Sequence, residues 1–389
     1  MSGKKLLVIS NNFPNSDGTY VGEIFVKEQL HYLKKYFTTI YVISPVAYGI
    51  ERHRKTRYEN YVFDNVKVYF PKYLNFPIFY DYGRFGWVFL AKNAIFDVIQ
   101  KENITFDLIH AHFTWPSGVL AGECKKKYHV PLVITEHTSD SFRRAIDNRN
   151  YYSVKTWELA DAIIRVKGGD IADFGKVGIS LQKVRFIPNG FDAQKFYPAG
   201  IEECRKKLGL PKEKKIILYV GNFYSEVKGH KYLVESLTEI IQQRNDILVI
   251  IVGSGTFKSD VEKQICTLGL GEYMRTVGNK PHTEIPLWMN ACDIFVLPSL
   301  NECNPTVMFE ALGCGKPFVG TKVGGVPEII ISDAYGLLVR PADPKDLAEK
   351  ILIALDRKWD REAILTYAKQ FTWENVAKEI MDVYEQVLG

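Results

Sequence analysis

The sequence predicts an α/β protein made of two Rossmann-like, doubly wound domains facing across a cleft. Three observations carry this. Short β-branched apolar runs alternate with stretches of helical period, the pattern of a parallel sheet wrapped by helices. The alternation breaks once, in a polar stretch without periodicity, and then restarts. The chain has 389 residues, too many for one ordinary α/β domain but enough for two with sizeable cores.

In the first half, strands are expected at Leu6–Ser10, Thr39–Ser44, Val66–Phe70, Leu108–Phe113, Leu132–Glu136, Ala162–Val166 and Val184–Pro188. Ile24–Tyr36 and Phe85–Gln100 carry the helical period between them. The second series runs Ile216–Gly221, Ile247–Val252, Arg275–Val277, Ile294–Pro298, Phe318–Thr321 and Gly336–Val339. Helices at Lys231–Gln243, Thr306–Leu312 and Pro344–Leu355 separate them. The runs IILYVG and ILVIIVG are apolar throughout, as expected of strands covered on both faces. The polar break sets the boundaries: an N-terminal domain over 1–192, a linker over 193–213 and a C-terminal domain over 214–372. An amphipathic helix follows Trp373 and runs to residue 389.

Composition narrows the function classes. A hydrophobic share of 46% with 24% charged residues is that of a globular protein, and no tract is long or apolar enough to span a bilayer. The apolar part of KKLLVIS is too short for an export signal, so a first strand and a cytoplasmic location are expected. Cys124, Cys204, Cys266, Cys292, Cys303 and Cys314 are scattered and form no C-x-x-C pair, which argues against a disulfide framework or a zinc site. A net charge of +5 does not by itself imply nucleic acid, but it suits anionic substrates or an anionic membrane surface.

Doubly wound sheets bind ligands at the carboxyl ends of their strands. Candidate residues are therefore sought in loops that follow strands. The densest set lies in SLNECNPTVMFEALGCGKPFVGTKVGGVPE, residues 299–328. Glu302 sits in the loop before a helix that begins near Pro305, and Glu310 lies inside that helix. Between them the backbone N–H groups of Asn304, Thr306 and Val307 point out of a helix N-terminus, which suits a diphosphate, with carboxylates beside it for sugar or ribose hydroxyls. The plainer reading makes Asn304 a helix cap and Glu310 a solvated helix residue.

A second set is VGNFYSEVKGHKYL, residues 220–233. Gly221 permits a tight exit from a strand, and Lys228 precedes a helix where a cation can neutralise a leaving phosphate. Most lysines are merely surface residues. A third is the loop SNNFPNSDGTYVGE, where Gly18 and Gly22 would let backbone approach a phosphate, although the spacing is not G-x-G-x-x-G. Gly253 and Gly255 are a weaker partial match. A fourth is HAHF with TEHTSD, placing His110, His112 and His137 at adjacent strand ends. No carboxylate spacing accompanies these histidines, so no metal is expected there. Last, Arg52, Arg54, Lys55 and Arg57 precede ten aromatics, Tyr69, Phe70, Tyr73, Phe76, Phe79, Tyr80, Tyr82, Phe85, Trp87 and Phe89. Such a segment suits an anionic membrane or a lipid acceptor as well as it suits a packed core.

Together the paired glutamates, GGVPE, IPNGFD at 187–192 and the VG…KG loop resemble glycosyltransferase family 4, of the GT-B fold, over nearly the whole chain. The resemblance implies retaining, metal-independent transfer from a nucleotide sugar, UDP- or GDP-linked above all, with no cofactor. It implies an acceptor-binding N-terminal domain, a donor-binding C-terminal domain and a last helix, 373–389, that crosses back to the first domain. It assigns His137, Lys228 and Glu302 to catalysis. It assigns Gly22, Gly221, Asn222, Lys228, Asn304, Pro305, Thr306, Val307 and Glu310 to the donor, and His112 and Arg143 to the acceptor side. The acceptor would be a glycan or a lipid-linked hydroxyl in cell-surface polysaccharide or glycolipid synthesis, at the inner face of the cell membrane, with no nucleic-acid partner. One departure stands out: Asn222 occupies the place where many members carry arginine, leaving Lys228 with Arg143, Arg144 or Lys280 to meet the diphosphate. Alternatives are a UDP-sugar epimerase of the same fold and a non-catalytic partner subunit. The missing glycine fingerprint argues against a nicotinamide dehydrogenase.

Overall fold

The computed structural model describes residues 3–18, 20–48, 58–75 and 84–389. Arg52, Arg54, Lys55, Arg57, Phe76, Phe79, Tyr80 and Tyr82 lie outside these residues, as does the Phe85 side chain, and with them most of the segment expected to meet a membrane. Of the aromatics that are described, Phe70, Tyr73 and Trp87 are buried, and Trp87 Nε1 donates to Tyr73 Oη at 2.6 Å. Phe89 is about half exposed. No helix among the described residues is long and apolar enough to cross a membrane.

The chain divides into two compact units, Met1–Pro188 with Val376–Gly389, and Asn189–Asn375. In the first, β1 (Lys5–Ile9), β2 (Thr39–Ile43), β4 (Tyr61–Phe63), β5 (Val66–Tyr69), β7 (Leu108–His112), β8 (Leu132–Glu136), β9 (Ala162–Arg165) and β10 (Val184–Phe186) form one sheet in the order β10-β9-β8-β7-β1-β2-β5-β4. All neighbours are parallel except β4 and β5. The two-residue strands β3 (Val46–Ala47) and β6 (Lys72–Tyr73) pair separately. The chain winds outward from β1 through β2 and β5, then from β7 in the opposite direction. The topological switch therefore falls between the ends of β1 and β7, and it is there that HAHF emerges. The strands β1, β7 and β8 are buried nearly throughout, since helices such as Arg84–Lys101 and Val119–Tyr128 cover the sheet. The last helix, Trp373–Leu388, belongs to this unit from Val376 onward and buries Tyr384 completely.

The second unit holds β11 (Lys215–Val220), β12 (Ile247–Val252), β13 (Met274–Gly278), β14 (Ile294–Leu297), β15 (Phe318–Thr321) and β16 (Gly336–Val339), all parallel, in the order β13-β12-β11-β14-β15-β16. Its switch lies between β11 and β14. The loops leaving those two strands are VGNFYSEVKG and PSLNEC.

The polar stretch 193–213 is more than a connection. It carries the helix Ile201–Leu208, whose Cys204 packs in the second unit's core. Buried Arg205 fixes it: Nε donates to Ala291 O at 2.9 Å, and one terminal nitrogen pairs with Asp293 at 2.6 Å. Asp293 also accepts the Ile216 N–H at 2.6 Å, so one carboxylate ties this helix to the start of β11. Removing one partner of a buried pair strands the other charge. Arg205→Ala is expected to lower stability by about 3 kcal/mol, read as a shift of the second unit's transition in urea. A loss below about 1 kcal/mol would mean that water replaces the guanidinium there.

Candidate active site

At the switch of the second unit, Lys228 Nζ meets Glu302 Oε1 at 2.7 Å. Ser299 Oγ donates to the same oxygen at 2.7 Å, and Thr321 Oγ1 holds the Ser299 carbonyl. Glu302 is buried, whereas the Lys228 side chain is about one-third exposed, so the cation stands at the rim with its carboxylate behind it. The loops are joined again by the Leu300 N–H donating to Val227 O at 2.6 Å. They approach so closely at Gly229, φ +71°, that a Cβ would lie 1.9 Å from Pro298 O. No L-residue with a side chain fits there.

The loop that carries Glu302 is gripped from behind by GGVPE. A Cβ on Gly324, φ +56°, would lie 1.6 Å from Glu302 O. A Cβ on Gly325 would lie 2.4 Å from Cys303 O, which instead accepts the Gly325 N–H at 2.8 Å. The helix Thr306–Gly313 then starts at Pro305 with no side-chain cap. Asn304 is not the cap that the plainer sequence reading made it. It is buried, and its Oδ1 is taken by the Asn189 N–H. Thr306 and Val307 are half-buried in the first turn, where helical N–H groups lack partners within the helix.

Glu310, one turn further in, is buried and accepts from His282 Nε2 at 2.9 Å. His282 leaves the loop after β13, and sequence reasoning missed it. Gly221 and Asn222 follow β11, and Asn222 is exposed. A Cβ on Gly221 would lie 2.4 Å from Tyr219 Oη. His230 stacks on Phe223 at 4.1 Å, and burial, reinforced by Lys228, pushes its imidazole down to about 4. Of the further cations considered, Lys280 lies over the Trp288 ring at 5.6 Å, while Arg143 and Arg144 are exposed on the first-unit helix Asp140–Asp147.

The first unit brings its histidines together at its own switch. His112 Nδ1 and His137 Nε2 lie 3.1 Å apart, and the His110 and His112 rings are 4.4 Å apart. Tyr384 Oη, from the last helix, lies 2.6 Å from His110 Nδ1, and His110 Nε2 lies 2.7 Å from Thr135 Oγ1. Burial pushes His110 down to about 3, and burial with its two neighbours holds His112 well below the ordinary histidine value. His112, expected on the acceptor side, has no exposed surface. It backs His137 instead of offering a face of its own.

The loop bearing His137 is braced by residues without a sequence signal. Glu136 accepts the Thr114 and Thr138 N–H groups at 3.1 and 2.6 Å. Fully buried Arg165 donates to Glu136 O at 2.9 Å and pairs with Asp170 at 2.8 Å. Burial would raise the Asp170 carboxyl, but its bonds to Arg165 and Lys167 outweigh that and hold it below its usual value. Gly22, φ +35°, lies so close to Asn12 that a Cβ would be 2.1 Å from its carbonyl. The next residue, Glu23, is buried and bonded by Ser10 and Asn12. Burial outweighs those bonds and raises its carboxyl to about 7.

Comparison with known proteins bears on the family and the fold. The model described as Glycosyltransferase Family 4 matches residues 23–195, and that of glycosyl transferases group 1 matches residues 200–371. The chain is 28% identical over 313 residues, 74% of its length and 73% of the relative's, to D-inositol 3-phosphate glycosyltransferase of Corynebacterium urealyticum. It is 28% identical over 373 residues, 89% of its length and 88% of the relative's, to Bacillus subtilis TuaC, a glycosyltransferase provisionally named for teichuronic acid biosynthesis. Sucrose-phosphate synthase from Thermosynechococcus elongatus shares the fold at a TM-score of 0.80, over 98% of both chains and at 22% identity. Anabaena HepE, solved in complex with UDP, does so at 0.74, over 98% of this chain and 100% of that one, at 21% identity. The chain belongs to glycosyltransferase family 4, with the GT-B fold, and is a glycosyltransferase that takes its sugar from a nucleotide-sugar donor.

The buried histidines give the fold a pH dependence. In the unfolded chain His110 titrates near its ordinary 6.5, whereas in the folded chain it takes up a proton only near 3. Its contribution is complete above pH 6.5 and is lost as pH falls toward 3, because unfolding then takes up a proton. His112 and His230 act in the same direction. Stability should fall by about 1–3 kcal/mol between pH 7.5 and 5.5, measured by urea denaturation. His110→Gln should show a shallower slope over the same range. An unchanged slope in that variant would show that His110 titrates alike in the folded and unfolded chains.

Proposed function

From this membership and the Lys228–Glu302 pair, we propose that the protein is a retaining, metal-independent hexosyltransferase using a UDP- or GDP-sugar. The observation that carries the reading is a cation and a carboxylate held at 2.7 Å across the switch of the second unit, next to the start of the helix Thr306–Gly313. The diphosphate binds against Lys228 and the N–H groups of Asn304, Thr306 and Val307. Glu302 accepts from hydroxyls of the sugar, and Glu310, oriented by His282, from those of the ribose. Loss of the nucleoside diphosphate builds negative charge where Lys228 stands, and the anomeric carbon becomes oxocarbenium-like. The acceptor hydroxyl attacks from the departing side, its proton passing to the leaving phosphate, so configuration is retained.

The acceptor side falls to the first unit, with His137, the loop at Gly22 and Arg143. HepE, solved with UDP-glucose, favours the uridine donor. The names of the relatives, for inositol phosphate and teichuronic acid transfer, favour a polyol or glycan hydroxyl in cell-surface polymer or glycolipid synthesis. A lipid-linked acceptor would hold the enzyme at the inner face of the cell membrane.

Thermal stabilisation by a panel of nucleotide sugars identifies the donor, with UDP- or GDP-sugars expected to raise the melting temperature. With that donor, Lys228→Ala should lower turnover about 10²–10³-fold, the size of losing one charge-stabilising group. Glu310→Ala should chiefly raise the donor KM. Near-native turnover in Lys228→Ala would place leaving-group stabilisation elsewhere, and donor consumption without any acceptor would favour an epimerase or hydrolase. Transfer should also persist in excess chelator, since Lys228 and the helix start take the place of a divalent cation. Activity lost in chelator and restored by magnesium or manganese would overturn the metal-independent mechanism.

A further inference from the structure

The segment IPNGFD served as a family mark in the sequence, but no function attaches to its asparagine. In the structure Asn189 opens the second unit, immediately after Pro188. It is buried and makes two reciprocal bonds to Asn304, 115 residues away: its N–H donates to Asn304 Oδ1 at 2.7 Å, and its Nδ2 to Asn304 O at 2.8 Å.

These bonds complete a one-sided arrangement of the loop from Glu302 to Asn304. The Glu302 carbonyl lies against Gly324, the Cys303 carbonyl accepts the Gly325 N–H, and the Asn304 carbonyl accepts from Asn189. Three successive carbonyls are thereby engaged by Gly324, Gly325 and Asn189. In a trans peptide the N–H points opposite to the preceding C=O. The Asn304 N–H is therefore directed away from Gly325, and two residues later the helix start carries N–H groups without partners within the helix. The next residue, Pro305, has no N–H to compete.

The Asn304 side chain shows which partner imposes this. Because Oδ1 is committed to the Asn189 N–H, the amide cannot flip. Its Nδ2 is left buried with no partner among the described residues. A buried NH2 without a partner is unfavourable, so the orientation is set by Asn189 and not by the preference of Asn304.

We infer that Asn189 is a positioning residue for the donor loop: its two-bond clamp on Asn304 holds the loop's amide groups toward the diphosphate of a nucleotide sugar. The inference rests on the function proposed above. Asn189 touches neither the donor nor the reacting atoms, and acts through Asn304.

The test is calorimetric binding of UDP and GDP to the full chain and to Asn189→Asp and Asn189→Ser. The aspartate keeps the size and the backbone bond but loses the Nδ2 donor. The serine keeps the backbone bond and offers a shorter hydroxyl donor. The nucleotide that binds the wild type should bind Asn189→Asp about tenfold or more weakly, with Asn189→Ser in between. With that nucleotide's sugar as donor, the donor KM should rise in the same order while the acceptor KM stays unchanged. In the wild type, hydrogen exchange at Asn304 and Thr306 should slow when the nucleotide binds, a readout that needs no variant to fold. Binding in both variants within twofold of wild type, with or without a lower melting temperature, would reduce Asn189 to a structural residue and overturn the inference, as would unchanged exchange at Asn304. Failure of the wild type to bind either nucleotide would instead overturn the functional reading.

Discussion

The Lys228–Glu302 ion pair is the contact on which the second unit's site depends. It joins the two loops that diverge from the topological switch, and with the lysine about one-third exposed it adds little to stability. Its value is placement. Glu302 Oε1 takes both the lysine and the Ser299 hydroxyl, so the ammonium has a fixed position without needing a ligand, and neither bond uses Oε2. On the proposed function, a diphosphate arriving at Lys228 would exchange one anionic partner for another. That exchange would cost less desolvation than bringing a bare cation and a bare anion together, and would release a carboxylate beside the sugar.

Placement of this accuracy requires close backbone approach, and the approach dictates sequence. Gly229 passes the Pro298 carbonyl, and Gly324 and Gly325 pass the carbonyls of Glu302 and Cys303, where any Cβ would sit inside contact distance. The glycines of GGVPE are thus required by packing, since they let one loop press closely on another. The charged residues could be exchanged between proteins with different donors, but this backbone arrangement would have to come first.

How much was legible in the sequence follows from the same physics. The parallel strands were found to within a residue or two, because strands covered on both faces must be apolar throughout, as in IILYVG and ILVIIVG. The edge strand β4 and the two-residue β3 and β6 escaped, being too short to show a period. The stretch 193–213 reads as a linker because its buried anchor is Arg205, a residue that composition counts as polar. Lys228, Glu302 and Glu310 could be singled out in the sequence because each lies in a loop that follows a strand or in the helix that the loop enters. His282, Glu23, Arg165 and Asn189 were not, because their partners are set by tertiary pairing, across 28 residues for His282 with Glu310 and 115 for Asn189 with Asn304. His112 shows the opposite limit: its sequence position is that of a strand end and it is the last residue of β7, yet its side chain has no exposed surface, because burial depends on what packs over the sheet.

The two units, each taken alone, furnish their switch points with opposite chemistry. The second holds a cation against a carboxylate, suited to a substrate that carries charge and leaves with more. The first holds imidazoles that burial keeps uncharged, His110 down to about 3 and His112 well below its ordinary value. A neutral imidazole offers one donor and one acceptor and no net charge. Tyr384 Oη and Thr135 Oγ1 engage the two ring nitrogens of His110, one of which donates and the other accepts, so a helix from the far end of the chain holds this ring inside the sheet. His112 in turn lies with its Nδ1 3.1 Å from His137 Nε2. Buried and uncharged, His110 and His112 bring no net charge to the first unit's switch. Of the two switches, the second therefore holds the ion pair, a cation with its carboxylate, at its loop ends.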